Sequence, residues 1–224
     1  MIALITGSAG FYGKHLSDEL EENGYEVIRC DLKAEGDIIS MDVMNSDMVL
    51  DIISQHAISK QAQEQFAQLY NMNYGMNVCM VRQFNLGGAG QAKGFMLSDF
   101  ASGIVEIERG RRGYLSVGNL ESARDFTHVN DACRAIRLIA EKGHSGEVYN
   151  ICSGVTYTAQ QILIKMIGMA KAAIEVHQDP SRMRPSDTPV VCGNHDKLTV
   201  HTGWCTEIGI DEIIKDTLNF WRGQ

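Results

Sequence analysis

Residues 1–31 read MIALITGSAGFYGKHLSDELEENGYEVIRCD, and the order of patterns within them sets the fold class. The apolar run at residues 2–6 is typical of a parallel strand buried on both faces. Residues 14–24 follow a helical pattern and finish on a glycine, where helices commonly end. A second strand pattern at residues 25–30 leads to Asp31. Strand, glycine turn, helix and strand predict the first unit of a parallel α/β sheet.

The turn between the first strand and the helix contains three glycines, Gly7, Gly10 and Gly13. In such a turn the first glycine allows a tight bend, the second lets backbone N–H groups approach a pyrophosphate, and the third lets the helix pack close to the strand. Asp31 stands where a carboxylate accepts hydrogen bonds from the adenosine ribose, which favours NAD. Two nearby cations, Arg29 and Lys33, keep NADP as an alternative. The pattern predicts a dinucleotide site, the alternative being a glycine-rich turn without a ligand.

The chain has 224 residues, a formal net charge of −8 and six cysteines. The acidic balance argues against non-specific binding of nucleic acid or of anionic membranes. No apolar run approaches the roughly 20 residues that span a bilayer, and the first strand begins so early that we expect no signal peptide. The cysteines lack metal-ligand spacing, so we predict no metal site and expect reduced thiols in a cytoplasmic protein.

The spacing Gly-x-x-Gly-x-x-Gly, with Phe11 after the middle glycine, resembles the extended short-chain dehydrogenase/reductases of the NAD-dependent epimerase/dehydratase family. Most members of that family modify nucleotide sugars. The resemblance implies that Phe11 belongs to the cofactor site and that Asp42 and Val43 lie beside the adenine ring, although a polar strand end explains this pair equally well. Residues 58–64 resemble the helix with the family's Tyr-x-x-x-Lys pair, which makes Lys60 the catalytic lysine and a ligand of the nicotinamide ribose.

The residue four positions before Lys60 is His56 rather than tyrosine. Histidine can donate a proton near neutral pH, so a catalytic His56/Lys60 pair is one hypothesis. The other is that His56 ends the preceding helix, predicted over residues 46–55, and has this spacing by accident. Two helical patterns then adjoin, although helices that cover a parallel sheet normally return to a strand. The resemblance explains this as an internal deletion before Ala57, which removes a central strand, a helix and the strand with the catalytic serine or threonine.

We therefore predict an α/β fold with a Rossmann-like parallel sheet that lacks central strands and a small C-terminal substrate-binding lobe. The predicted NAD(P)-binding domain comprises residues 1–82 and 128–154, and the nucleotide-sugar lobe residues 83–127 and 155–224. Within the lobe, Thr158 is predicted to begin a helix as its N-cap.

Residues 83–91 resemble the family's Arg-Pro-Phe-Asn loop, with Gln83 in place of proline. Asn85 matches the residue that contacts the substrate in that loop, whereas the local sequence fits a flexible glycine-rich loop equally well. The segments around Asn119 and Arg124 resemble GDP-mannose 4,6-dehydratases and GDP-4-keto-6-deoxymannose reductases. The resemblance makes both residues substrate ligands, and the planar guanidinium of Arg124 suits a diphosphate. The alternative for Arg124 is a structural ion pair with Asp125 or Asp131.

Residues 182–189 resemble the family's substrate clamp, in which Arg184 would hold the diphosphate and Asp187 a ribose hydroxyl. A solvated turn explains the same segment. Taken together, the resemblance implies an NAD(P)-dependent enzyme that reduces the 4-keto group of a GDP-4-keto-6-deoxyhexose, with the GDP-sugar as its partner and a homodimer formed through the helix that bears Lys60. The alternatives are a GDP-mannose 4,6-dehydratase and a catalytically inert dinucleotide or nucleotide-sugar binder, since the catalytic tyrosine and serine are absent.

Overall fold

The computed structural model describes residues 2–6, 8–30, 49–54, 58–183 and 188–224. The chain forms two compact units. The first comprises Met1–Phe84, Val129–Cys152 and Asn194–Thr206, and the second comprises Asn85–His128, Ser153–Gly193 and Glu207–Gln224. Among the described helices, none has both the length and the apolar composition needed to cross a membrane.

The described strands and helices follow one another along the chain in this order: β1 (Ile2–Thr6), α1 (Phe11–Glu22), β2 (Glu26–Cys30), β3 (Val49–Ser54), α2 (Ile58–Tyr74), β4 (Val78–Gln83), β5 (Asn85–Gly87), α3 (Met96–Glu108), β6 (Leu115–Val117), β7 (Ala123–His128), α4 (Val129–Lys142), β8 (Val148–Ile151), β9 (Thr156–Thr158), α5 (Ala159–Gly168), β10 (Val176–Gln178), β11 (Val190–Val191), α6 (Asp196–Thr202) and α7 (Ile210–Gly223).

The first unit opens with the predicted strand, helix and strand. β1 and β2 are parallel, with Ile2 beside Glu26 and Thr6 beside Cys30. The intervening helix stops because Gly24 takes a left-handed backbone conformation with φ of 83°, which other residues adopt only at an energetic cost. The α/β class and the glycine-turn unit predicted from the sequence are confirmed.

A second parallel sheet in this unit has the order β3, β4, β8, with Val49 beside Val78 and Met80 beside Val148. The predicted helix over residues 46–55 was therefore wrong at Val49–Ser54, which form β3. An apolar run of this length fits a helix or a buried strand, and parallel pairing with β4 decided between them because α2 must leave from a strand and return to one.

The helices α2 and α4 cover opposite faces of this second sheet. Val78 and Met80 of β4 pack against Ala67 of α2. The intervening residue, Cys79, donates from Sγ to the carbonyl oxygen of His144, just beyond α4, at 3.3 Å. Alternate side chains of a strand point to opposite faces, so one face of the sheet meets each helix.

Among the described residues, β1–β2 and β3–β4–β8 are separate hydrogen-bonded sheets. A complete Rossmann-like sheet would join them through further parallel strands. The observed break is what the sequence predicted for a sheet that lacks central strands.

The second unit is built on β7, which pairs in parallel with β5 and β11 and antiparallel with β9. Its core is formed by α3, α5 and α7, whose apolar side chains bury one another together with β6. Thr158 caps α5 as predicted: its Oγ1 accepts from the Gln161 N–H at 3.1 Å, and the Gln161 Oε1 accepts from the Thr158 N–H at 2.8 Å.

Candidate functional site

The N-terminus of α1 is the best-defined candidate site in the first unit. Gly10 is the N-cap residue, with an extended backbone (φ −71°, ψ 169°) and no side-chain cap, so the N–H groups of the first turn have no side-chain acceptor there. The first turn contains no acidic side chain that would compete with a bound anion. An uncapped helix end of this kind carries a partial positive charge and suits a phosphate group.

Two further predicted cofactor residues lie in this first turn. The rings of Phe11 and His15 meet edge to face with centroids 5.4 Å apart. Gly13 accepts a hydrogen bond at its carbonyl oxygen from Ser17 Oγ at 2.8 Å. Both contacts are local to α1 and stiffen the turn that presents the N–H groups.

Lys60 lies in the first turn of α2. The other predicted cofactor and catalytic residues of the first unit, and two substrate residues of the second, lie outside the described residues: Gly7, Asp31, Asp42, Val43, His56, Arg184 and Asp187.

The side chain of Arg29 is held by a carboxylate of α1. Its Nη2 donates to Glu21 Oε2 at 2.8 Å, and its Nη1 contacts the other oxygen of the same carboxylate. This hydrogen bonding lowers the pKa of Glu21. A 2′-phosphate that recruited Arg29 would compete with Glu21 for the guanidinium.

A hydrogen-bond network around Tyr12 and Gln83 was missed by the sequence analysis. The Tyr12 hydroxyl donates to Gln83 Oε1 at 3.1 Å, and Gln83 Nε2 donates to the carbonyl oxygens of Phe84 (3.1 Å) and Ile151 (3.3 Å). Only the replacement of the family's proline by Gln83 could have pointed to this network in advance.

In the second unit, the register of the sheet brings Asn85 and Arg124 together on one face. Asn85 lies beside Phe126, and Arg124 precedes Phe126 by two residues on β7, so both side chains point to the same side. Arg124 Nη1 donates to the carbonyl oxygens of Ala123 and Thr188, each at 2.8 Å. Thr188 directly follows the segment that contains Arg184 and Asp187.

The side chain of Asn119 has a local role. Its Oδ1 accepts from the backbone N–H of Glu121 at 2.9 Å, which is the hydrogen bond of an Asx turn. This contact fixes the loop that enters β7, a role that the resemblance, which implies only a substrate ligand, did not predict.

The two carboxylates that were considered as ion-pair partners of Arg124 have other hydrogen bonds. Asp131, on α4 of the first unit, accepts from Arg134 Nη2 at 2.8 Å. Asp125, on β7 of the second unit, is 1% exposed and accepts four hydrogen bonds. Its Oδ1 accepts from the Ser153 N–H (2.8 Å) and Oγ (2.6 Å), and its Oδ2 accepts from the N–H groups of Gly154 (2.9 Å) and Gly193 (3.2 Å). Asp125 therefore joins β7 to two loops of its own unit.

The second unit also contains a polar pocket of about 150 Å³ between α3 and β6. Three cationic and two acidic side chains line it, with two serines and one leucine: Lys93, Arg112, Arg182, Asp99, Glu106, Ser102, Ser116 and Leu115. Lys93 Nζ donates to Glu106 at 3.2 Å, so part of the charge is neutralised within the pocket. The lining suits a polar, partly anionic group rather than an apolar ligand.

Parallel strands joined by helices, with an uncapped helix N-terminus after the first strand, define an α/β protein with a Rossmann-type fold. Comparison with known families makes the assignment specific. The profile described as GDP-mannose 4,6 dehydratase matches residues 36–217, and the profile of the NAD dependent epimerase/dehydratase family matches residues 3–58. The chain belongs to the GDP-mannose 4,6-dehydratase family, within the NAD-dependent epimerase/dehydratases expected from its glycine spacing.

Two curated relatives are similar over most of the chain. GDP-6-deoxy-D-mannose reductase of Pseudomonas aeruginosa is 32% identical over 170 residues, which cover 75% of this chain and 56% of the relative. GDP-6-deoxy-D-talose 4-dehydrogenase of Aggregatibacter actinomycetemcomitans is 31% identical over 146 residues, which cover 65% of this chain and 48% of the relative. The chain spans about half the length of the curated relatives that it matches.

Two solved structures share the fold. RMD from Pseudomonas aeruginosa complexed with NADPH superposes with a TM-score of 0.86 at 22% identity, over 99% of each chain. UDP-glucose 4-epimerase of Thermus thermophilus, in complex with NAD, superposes with a TM-score of 0.82 at 19% identity, over 100% of this chain and 99% of that chain. At these identities the likeness shows the fold.

Proposed function

We propose that the protein is an NAD(P)-dependent oxidoreductase that acts on a GDP-linked sugar and reduces the 4-keto group of a GDP-4-keto-6-deoxyhexose. The observation that carries the proposal is the uncapped N-terminus of α1 directly after a parallel strand, which offers the donors that a dinucleotide pyrophosphate needs. The similarity to a GDP-6-deoxy-D-mannose reductase supports the choice of reaction. In this proposal the first unit binds the dinucleotide and the second binds the nucleotide sugar.

The cofactor is NAD or NADP, and Asp31 favours NAD. The pairing of Arg29 with Glu21 supports the same choice, because a 2′-phosphate would have to displace that carboxylate. One structural neighbour holds NADPH and another holds NAD, so both dinucleotides belong in the test. The proposed cofactor ligands are Gly7, Gly10, Phe11, Gly13, Asp31, Asp42, Val43 and Lys60.

When bound, the reduced dinucleotide supplies the hydride that converts the C4 ketone into an alcohol. In the proposal Lys60 orients the nicotinamide ribose and His56 donates the proton to the ketone oxygen. Histidine suits this role near neutral pH because its unperturbed pKa is about 6.5. The proposed ligands of the GDP-sugar are Asn85, Asn119, Arg124, Arg184 and Asp187, with the two arginines at the diphosphate.

A second candidate is a protein that binds the dinucleotide and the nucleotide sugar without turnover. The observation in its favour is His56 at the position of the family's tyrosine, in a chain that spans about half the length of its relatives. A third candidate is a GDP-mannose 4,6-dehydratase, the name of a Vibrio cholerae relative at 24% identity.

The test separates binding from turnover. The purified full chain is titrated with NADH, NADPH and GDP by isothermal calorimetry, and oxidation of the reduced nicotinamide is followed with GDP-4-keto-6-deoxymannose as substrate. Turnover supports the reductase, loss of water from GDP-mannose supports the dehydratase, and binding of both ligands without either reaction supports the inert binder. If neither dinucleotide binds, the proposed function is wrong.

Two substitutions test His56 directly. General acid catalysis contributes about 100- to 10,000-fold, so His56→Ala is expected to lower kcat within that range, while His56→Tyr restores the family's phenol and retains turnover. Equal turnover of His56→Ala and the wild type would remove His56 from the proposal. The intact mass of the protein made from its native gene tests independently whether the block before Ala57 is absent.

We further propose a homodimer formed through α2. Exposed apolar side chains recur along one side of this helix at three- and four-residue spacing: Phe66, Leu69, Tyr70 and Tyr74. Sedimentation velocity of the wild type and of a Phe66→Glu/Tyr70→Glu variant tests this, since a charge on that face should shift the dimer to monomer. A monomeric wild type at concentrations well above those of the assays refutes the dimer.

A further inference from the structure

The amide of Gln83 has only one orientation that satisfies its neighbours. Two backbone carbonyl oxygens, of Phe84 and Ile151, lie 3.1 and 3.3 Å from one end of the amide, and carbonyl oxygens accept hydrogen bonds only. That end must therefore be the NH₂ group, and the amide oxygen faces Tyr12. Because Gln83 is only 8% exposed, the alternative orientation would place its amide oxygen against two carbonyl oxygens in a site from which water is largely excluded.

This orientation defines the state of Tyr12. An amide oxygen can only accept, so the Tyr12 hydroxyl is the donor and must keep its proton. Burial of the hydroxyl, with Cys133 of α4 nearby, raises the pKa of Tyr12 well above its ordinary value. The Tyr12–Gln83 bond is therefore formed throughout the pH range in which the protein would be assayed.

The bond joins two parts of the first unit that are distant in sequence. Tyr12 lies in the first turn of α1, two residues after the N-cap Gly10. Gln83 is the last residue of β4, and its second partner Ile151 is the last residue of β8. The carboxyl ends of parallel strands form the edge at which α/β sheets bind ligands. The network therefore fastens the phosphate-facing turn of α1 to that edge of the sheet.

Two side-chain contacts with α4 lie farther along α1 and just beyond it. Arg137 Nε donates to Glu19 Oε1 at 2.7 Å, and the hydroxyl of Tyr25, beyond the end of α1, donates to Glu141 at 3.3 Å. These contacts hold the C-terminal half of α1. The partial positive charge of a helix N-terminus acts on an anion only within the first turn. The position of that turn therefore determines how strongly it binds a phosphate.

We propose that Tyr12 and Gln83 are a positioning pair that sets the affinity of the α1 N-terminus for a dinucleotide by fixing the first turn of the helix against the carboxyl ends of β4 and β8. The inference rests on the proposed function, in which this helix end meets the pyrophosphate. Neither side chain needs to touch the dinucleotide for the effect to occur.

The experiment compares dissociation constants for NADH, NADPH and GDP in the wild type, Tyr12→Phe, Gln83→Met and the double variant, at a temperature where circular dichroism shows all of them folded. Tyr12→Phe is expected to weaken dinucleotide binding about three- to tenfold, the range set by one net hydrogen bond, and to leave GDP binding unchanged. Gln83→Met should have a similar effect, and the double variant should lose no more than the larger single loss.

Tyr25→Phe is the matched control, because it removes a tyrosine hydroxyl bonded to Glu141 near the far end of α1. It should leave all three dissociation constants unchanged. Hydrogen exchange adds a readout that needs no ligand: the Lys14 N–H, bonded to the Gly10 carbonyl at 3.1 Å, should exchange faster in Tyr12→Phe and not in Tyr25→Phe.

The outcomes separate the two proposals. If the wild type binds NADH or NADPH and Tyr12→Phe binds it equally well, the positioning role is overturned and the proposed function stands. Equal losses with Tyr25→Phe would also overturn the positioning role, because the effect would then be a general loosening of α1. If the wild type binds neither dinucleotide, the proposed function fails and the inferred effect on affinity fails with it.

Discussion

Replacing the buried carboxylate of Asp125 by an amide tests how the second unit holds its loops. The amide of Asp125→Asn has one acceptor oxygen, so whichever way it lies, at least one of the backbone N–H groups of Ser153, Gly154 and Gly193 faces a donor. Hydrogen bonds to a charged acceptor contribute about 1.5–3 kcal/mol each and those to a neutral acceptor about half as much. After allowing for the relief of carboxylate desolvation, we expect a loss of about 2–4 kcal/mol in local stability.

Hydrogen exchange with mass spectrometry measures this loss at the three N–H groups themselves. A local loss of 2–4 kcal/mol corresponds to exchange about 30- to 900-fold faster where local opening limits exchange. Asp179→Asn is the matched control. Asp179 Oδ1 also accepts from the N–H (2.9 Å) and Oγ (2.6 Å) of one serine, Ser181, but the Asp179 side chain is 38% exposed, so water can replace the lost bonds. The assignment of Asp125 as the residue that holds these two loops would be refuted if the N–H groups kept their protection from exchange in Asp125→Asn, or if the control lost as much protection.

Three further predictions concern the second unit. Arg222 donates from Nε and Nη2 to Glu108 at 3.0 and 2.7 Å, and this hydrogen bonding lowers the pKa of Glu108 below its ordinary 4.5. The contribution of the pair to the free energy of unfolding is therefore present above pH 4.5 and is lost as pH falls through the lowered pKa. Glu108→Gln should therefore cost about 1–3 kcal/mol at pH 7, and the difference from wild type in urea unfolding should shrink in acid. Gly87→Ala places a Cβ against two side chains of the core and should lower the free energy of unfolding by about 1–3 kcal/mol. Gly168→Ala places its Cβ in open space and should not lower it, and thermal unfolding of the two variants tests this difference. Arg124→Lys should weaken GDP binding about tenfold and leave NADH binding unchanged in calorimetry, because lysine lacks the planar fork; a change in both affinities would point to a structural role instead.

The opening unit of the fold was predictable because its signals are local. A strand, a glycine turn and a helix are encoded in neighbouring residues. The structure forms β1 at the predicted residues and α1 over Phe11–Glu22, where the pattern predicted a helix over residues 14–24. Residues 49–54 were not predictable in the same way, since one apolar run fits two periodicities. Pairing with β4, whose first residue Val78 lies beyond the intervening helix, decided the outcome, and pairing across such a separation leaves no trace in the local pattern.

The candidate site shows the same difference between residues with a local sequence signal and residues whose role depends on distant contacts. Gly10 and Gly13 were predicted as cofactor residues from spacing alone, because a turn that presents N–H groups needs glycine at fixed intervals, and that role stays a prediction. Gln83 and Asp125 were missed as structural centres, although both were noticed as residues. Their importance depends on partners far away in sequence, Tyr12 for the first and the loops at Ser153 and Gly193 for the second. A buried amide or carboxylate is recognisable only once the groups that it satisfies are brought to it.

The two kinds of site residue also differ in what they require from the rest of the chain. A pyrophosphate is bound by the backbone N–H groups of one turn, and that turn forms wherever β1 and α1 form. A proton donor acts only when its side chain reaches the reacting oxygen, so it depends on the start of α2 and on the strand before it. β3 supplies such a strand beside β4 and ends two residues before His56. A misplacement of about 1 Å can cost about 100-fold in rate and leave the N–H groups of α1 untouched. Dinucleotide affinity and turnover should therefore vary independently: substitution of Tyr12 changes the first, and substitution of His56 changes the second.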